Sequence, residues 1–139
     1  MTPQEIAEKS AQTMWAEDIA ARVHGMKLEA ISPGAATLSM AATRAMTNGH
    51  GVVHGGFIFL LADAAFAYAC NSYNQRCVAQ ACSIAYLKPG REGSRLTARA
   101  REVRRVERSG VYDVSVADET GAAIAEFRGL SRTVAGGYF

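Results

Sequence analysis

No stretch of this sequence is apolar for long enough to cross a membrane. The longest such run, Phe57 to Cys70, has 14 residues and carries Asp63, short of the roughly 18 that a span needs. No secretory leader is expected, because the N-terminal MTPQEIAEKS is polar. A strong charge of one sign is also missing. Fifteen Lys and Arg stand against 13 Asp and Glu, and the net charge of +2 is too weak to point to nucleic acid. Cysteine is scarce. Cys70, Cys77 and Cys82 are odd in number, lack paired metal-ligand spacing and sit among apolar residues, which favours buried free thiols over disulfides or a zinc site. Repeats, low-complexity stretches and signs of a second domain are absent. What remains is one domain over residues 1–139, 49% hydrophobic and 20% charged, expected to be cytoplasmic with no nucleic-acid or membrane partner.

Hydrophobic spacing orders the chain. Thr2, Pro3 and Glu5 form a helix start with a capping box. Ile6, Ala7, Ala11, Met14, Trp15 and Ile19 follow at helical spacing, with Gly25 as the stop. Met26 to Ile31 reads as a strand closed by Ser32-Pro33-Gly34. Ala36, Leu38, Met40 and Ala42 then alternate with Thr37, Ser39 and Thr43, the period of a half-buried strand. After the apolar helix come four more strands. They cover Arg76 to Leu87, the SRLTARA segment, the Tyr112-Val114-Val116 alternation and Ala122 to Val134, and short turns between them imply antiparallel neighbours. One turn falls at Arg108-Ser109-Gly110, and the terminal AGGYF is expected to be loose. A helix without a polar face must be buried all round. In so small a domain that requires a curved antiparallel sheet wrapped about it, an α+β architecture.

The segment NGHGVVHGG, Asn48 to Gly56, leads directly into that helix, whose only polar groups are Asp63 and the Tyr68 hydroxyl. Gly55 and Gly56 stand where the helix begins, and a helix start carries unpaired N–H groups and a partial positive charge. Glycine there lets a ligand approach the backbone closely; close packing of helix on sheet is the competing explanation. A lone carboxylate in an apolar helix suffers desolvation. Asp63 therefore serves either a structural hydrogen bond or chemistry. His50 and His54 are four apart, but glycines surround them and no third ligand stands out, so no metal is expected.

The Asn-Gly-His…His-Gly-Gly…Asp pattern, followed by CSIAYLKPG, SGVYDVSV and FRGLSRTV, resembles the hotdog-fold acyl-CoA thioesterases over nearly the whole chain. The resemblance is to the branch that acts in phenylacetic acid degradation. It implies a hotdog fold and hydrolysis of acyl-CoA to acid and CoA, with aryl or arylacetyl thioesters as substrates and no cofactor. It implies that the Gly55 N–H is the oxyanion donor, with Gly56 beside it, that Asn48 orients the substrate or the attacking group, and that His54 supports the carbonyl oxygen. Asp63 would act as nucleophile or as general base on water. Where the family often places a hydroxyl residue to hold that water, this chain has Ala79 and Gln80, with Ser83 as an outside candidate. Phe57, Phe66 and Tyr68 could line an aromatic acyl pocket, although such spacing is equally that of plain core.

Gly55 and Asp63 are eight positions apart, about 12 Å along a helix axis, whereas attack on a carbonyl needs atoms roughly 3–3.5 Å apart. Two antiparallel copies can satisfy both, so a homodimer with composite sites is expected, paired into a tetramer as the resemblance implies. Lys88, Arg91, Arg104, Arg105 and Arg108 lie at strand ends or turns and are candidates for the CoA phosphates; a solvated charged face is the alternative. Two rival functions remain open. An enoyl-CoA hydratase usually pairs Asp with His on one helix, and Phe57 to Cys70 has no His. A non-catalytic acyl-CoA binder would not need Asp63.

Overall fold

The computed structural model describes residues 1–139. Helix α1 covers Pro3–Glu17, and its capping box is closed in both directions: Glu5 N–H donates to Thr2 Oγ1 at 3.1 Å and Thr2 N–H to Glu5 Oε2 at 3.2 Å. The single helix expected as far as Gly25 is in fact two. Asp18 ends α1 and starts α2 (Ile19–Val23), its Oδ1 accepting from Ala21 N–H at 3.1 Å. Its second oxygen accepts from the Tyr68 hydroxyl at 3.0 Å. This break turns Ile19 outward, and it is exposed rather than core.

Six strands follow: β1 (Lys27–Ser32), β2 (Ala35–Ala41), then, after helix α3 (Gly55–Cys70), β3 (Cys77–Tyr86), β4 (Arg95–Val106), β5 (Ser109–Ala117) and β6 (Ala123–Thr133). They form one antiparallel sheet in the order β1-β2-β4-β5-β6-β3. Alternation along β2, β4, β5 and β6 sends Leu38, Met40, Leu96, Ala98, Val114, Val116, Ala125 and Phe127 onto α3. The sheet curls round a central helix, the hotdog architecture that the resemblance implies.

Three expectations need correction. The β4–β5 turn is Glu107-Arg108, with Glu107 at φ +55°, and Ser109 and Gly110 already belong to β5. β3 does not neighbour β4. The connection from Leu87 to Ser94 is no tight turn but a crossover past the start of α3, held by Val53 N–H to Gly90 O at 2.8 Å and Gly93 N–H to Ala42 O at 2.8 Å. β3 therefore lands on the far edge beside β6. The terminal AGGYF is not loose. Tyr138 OH donates to Asn71 Oδ1 at 2.6 Å, its N–H to Asn74 Oδ1 at 2.7 Å, and Lys9 stands over the Phe139 ring.

The sheet covers most of α3 and leaves one stripe. Gly56 is exposed, and Leu60, Asp63 and Ala67, on the same helical face, are only half-buried. β3 is likewise bare along most of its length and pairs on one side only.

Candidate active site

The glycines of the loop before α3 have a conformational purpose. Gly49 and Gly51 adopt φ of +92° and +71°, a region that side chains disfavour. They allow a tight reversal in which Asn48 N–H donates to Val52 O at 3.0 Å and the Asn48 side-chain oxygen accepts from His50 N–H at 3.1 Å. His54 N–H then donates to Met46 O at 2.9 Å, and His54 becomes the N-cap residue of α3 with its own side chain exposed.

The helix start is electropositive. Phe57 N–H returns to His54 O at 3.0 Å, whereas the N–H groups of Gly55 and Gly56 find no acceptor in the chain. Two free donors and the positive end of a 16-residue helix coincide there. A cavity of about 450 Å³ opens at this point, lined by Val53, Gly55, Ile58, Tyr86 and Lys88 among others, a volume in the range of small-molecule sites.

Tyr86 is the site residue that sequence reasoning missed. Its hydroxyl donates to Gly55 O at 2.9 Å, and a Cβ at Gly55 would lie 2.8 Å from its ring. The ring thus packs on the first peptide of α3, and close packing is one reason for glycine there. Only the tyrosine in SIAYLKPG signalled this, and nothing local says it reaches back 31 residues.

Asp63 is half-buried on the open stripe. Burial raises its pKa from the ordinary carboxylate value, and no hydrogen bond or ion pair within the chain counters that shift. The structural explanation left open by the sequence, an aspartate satisfied by capping a turn, does not apply within this chain. Gly55 and Asp63 share α3, so their axial separation of about 12 Å stands.

The remaining candidates scatter. Ala79 and Gln80 are exposed on β3, with Gln80 at a break in the β3–β6 register. The β3 side chain that feels the Asp63 charge is Cys82, whose thiol is pushed up by burial and then by that carboxylate. Ser83 instead lines a separate depression with Asp113 and Arg128. Phe66 and Tyr68 are fully buried: Phe66 stacks on Tyr112 and Phe127, and Tyr68 on Trp15. Neither lines the cavity at Gly55. Phe57 is half-buried against the His24 ring, 5.6 Å between centroids. Of the three thiols expected to be buried, Cys82 is exposed.

The five basic residues do not form one cluster. Lys88 lines the cavity at Gly55, and Arg91 opposes Val52 across a β-bridge beside the glycine loop. Arg104, Arg105 and Arg108 lie at the β4–β5 hairpin, near the other end of α3, about 24 Å away along the axis. There Arg105 stacks on Tyr73 at 3.6 Å and pairs with Glu102 at 3.5 Å. The twelve residues of β4 carry the chain from one end of the domain to the other, which is why neighbours in sequence are divided.

Comparison with known proteins shows the family. Residues 50–125, from the glycine loop into the start of β6, match the model of the thioesterase superfamily. The acyl-coenzyme A thioesterase PaaI of Escherichia coli K12 is 40% identical over 130 residues, 94% of this chain and 93% of that protein. The structure of E. coli PaaI, from the phenylacetic acid degradation operon, superposes with a TM-score of 0.96 at 38% identity, covering 98% of this chain and 99% of the other. A variant of the phenylacetic acid degradation protein PaaI from Thermus thermophilus gives 0.80 at 35% identity, covering 84% and 100%. With the family pattern spanning over half of the chain and the likeness to one relative spanning nearly all of it, this chain belongs to the thioesterase superfamily, as a thioester hydrolase on the hotdog fold.

Proposed function

We propose that the thioester is an acyl-coenzyme A with an aryl or arylacetyl group of the phenylacetyl type, hydrolysed in sites shared between two copies of the chain. The carrying observation is the pair of unpartnered N–H groups at Gly55 and Gly56, beside the cavity that Gly55 and Lys88 line. The names of the E. coli and T. thermophilus relatives support the acyl-CoA and the phenylacetyl class. The thioester oxygen accepts from Gly55 N–H, which stabilises the negative charge that grows there as the carbonyl carbon turns tetrahedral. Asn48 and His54 flank that oxygen from the loop. The partner subunit's Asp63 either attacks the carbon or takes a proton from the attacking water, and the C–S bond breaks with loss of the CoA thiolate. The residues ask for no cofactor, since CoA belongs to the substrate.

Two open surfaces support the shared site. The bare edge of β3 offers unpaired backbone groups, a template for pairing with another strand. The half-buried α3 stripe lies on the side of the helix that the sheet leaves open. A second copy on both would cover the stripe and bring Asp63 towards the other chain's Gly55; a further pairing of dimers gives the tetramer.

A panel of acyl-CoAs, read by thiol release, tests the substrate class. The phenylacetyl-type thioester is expected to exceed a short straight-chain one in kcat/KM by at least about ten-fold, the discrimination that a shaped apolar pocket gives. Failure of a folded preparation to hydrolyse any acyl-CoA would remove the proposal. Lys88→Ala is expected to raise KM for acyl-CoA roughly ten-fold, the scale of one charge-assisted phosphate contact. A thioester lacking the nucleotide should be hydrolysed as before. Equal effects on both substrates would count against phosphate binding at Lys88, and the same comparison decides for Arg91, Arg104, Arg105 and Arg108.

A further inference from the structure

We propose that Cys70 and Cys77 form a peroxide-reactive dithiol, with Cys77 as the nucleophile and Cys70 as the resolving thiol, that closes to an intramolecular disulfide. The pair stands at the C-terminal end of α3, away from Gly55, and nothing in the hydrolysis uses it. Both cysteines line one small cavity of about 170 Å³, together with Arg105, Ser131 and Thr133. That volume is below the usual range for an organic ligand and ample for a molecule the size of water or peroxide.

The two cysteines are brought together by Asn71. Its side-chain oxygen accepts from Cys77 N–H at 2.8 Å, and its amide donates to Cys77 O at 3.3 Å and to Cys70 Sγ at 3.5 Å. The Tyr138 hydroxyl anchors the same carboxamide. The end of α3 and the start of β3 are thus clamped across the turn that separates them, which brings both cysteines to the one cavity.

This surrounding assigns different roles to the two sulfurs. The neighbouring Cys70 thiol favours a thiolate at Cys77, opposed by burial and aided by the Thr133 hydroxyl at 3.5 Å and the Arg105 charge; its pKa falls to about 6. Cys70, beside that thiolate, buried and donating to Ala67 O at 3.5 Å, is held protonated. The charged and titratable groups round Cys77 are Cys70 from α3, Arg105 and Glu107 from the β4–β5 hairpin, Tyr112 from β5 and Tyr138 from the tail. A low-pKa thiolate beside a protonated second thiol is the arrangement of redox-sensing cysteines.

The chemistry balances with one hydrogen peroxide. The Cys77 thiolate attacks a peroxide oxygen; the S–O bond forms as O–O breaks, and the departing hydroxide is protonated to water. Cys70 sulfur then attacks the sulfenic sulfur; S–S forms as S–O breaks, and the leaving oxygen departs as a second water with the Cys70 proton. Two thiols are oxidised and one peroxide is reduced.

The test uses the intact protein. Alkylation by iodoacetamide, followed by peptide mapping across pH, should show Cys77 labelling that rises with a midpoint near pH 6. At pH 6 it should exceed Cys82 by at least about ten-fold, because thiolate fraction outweighs the lower nucleophilicity of an acidic thiol. Hydrogen peroxide should then yield a protein lighter by two hydrogens, with Cys70 joined to Cys77, reversed by dithiothreitol. In Cys70→Ala, oxidation should stop at a Cys77 sulfenic acid trapped by dimedone. An ordinary thiol profile for Cys77, with its midpoint above about pH 8, overturns the proposal. So does peroxide treatment that leaves both thiols free or joins Cys82 instead. The alkylation profile needs no substitution, so a Cys70→Ala variant that fails to fold leaves the proposal decidable.

Discussion

Asp63→Asn is expected to lower kcat by at least about 10²-fold, the scale of a lost general base, with KM for acyl-CoA largely kept. Asparagine preserves the size of the side chain and part of its hydrogen bonding but can neither take a proton at neutral pH nor serve as a good nucleophile. The structure adds a second expectation of opposite sign. Burial raises the Asp63 pKa with no partner to offset it. Between the unfolded and the folded pKa, the folded carboxyl holds more proton than the unfolded one, so stability from this group is greatest at low pH and is lost as pH rises through the folded pKa. Above the folded pKa the folded state carries a charge that partial burial disfavours, and there Asp63→Asn should melt at a higher temperature than the parent while turning over far less. In the parent, kcat/KM should fall on acidification through that raised pKa, and the variant should lose this acid limb. Near-normal turnover in a folded variant would remove Asp63 from the chemistry. Loss of both turnover and melting temperature would mark it as structural.

Mixed dimers should recover about a quarter of parental activity from two variants that are each nearly inactive. One partner is Asp63→Asn; the other is Gly55→Val, whose Cβ would stand 2.8 Å from the Tyr86 ring and whose side chain would crowd the first peptide of α3. Misplacing an oxyanion donor is expected to cost about 10²-fold or more. Unfolding, equal mixing and refolding give mixed dimers as about half of the population. In each of these, one site joins an intact Gly55 to the other chain's intact Asp63, and the second site carries both lesions. Half the dimers with half their sites intact give the quarter. A mixture that stays at the level of the single variants, with mixed dimers demonstrated by mass, would place each site within one chain and refute the argument from their axial separation.

Much of this protein is legible from local pattern because local physics sets it. The capping box at Thr2 and Glu5 and the period-two alternation of β2 depend on neighbours in sequence, and so does the all-apolar stretch of α3 around Asp63. What was illegible depends on distant partners. Asp18 reads as one more polar residue in a helical stretch until the Tyr68 hydroxyl donates to it from 50 residues away. The place of β3 beside β6 rests on a crossover, not a turn, and no local signal separates the two. Tyr86 enters the site only because that crossover begins where α3 begins. The basic residues looked like a group because they are close in sequence, and one long strand carries them to opposite ends.

The crossover from Leu87 to Ser94 is attached to the rest of the domain through its main chain. Val53 N–H binds Gly90 O, Glu92 N–H binds Gly51 O, and Leu87 and Lys88 N–H both reach Ile124 O. None of these bonds consults a side chain. The segment that walls the cavity can therefore change its lettering at Lys88 or Pro89 while its path stays fixed. For a lineage drifting between acyl thioesters, that is a place where new selectivity can be tried one residue at a time, without first rebuilding the route of the chain.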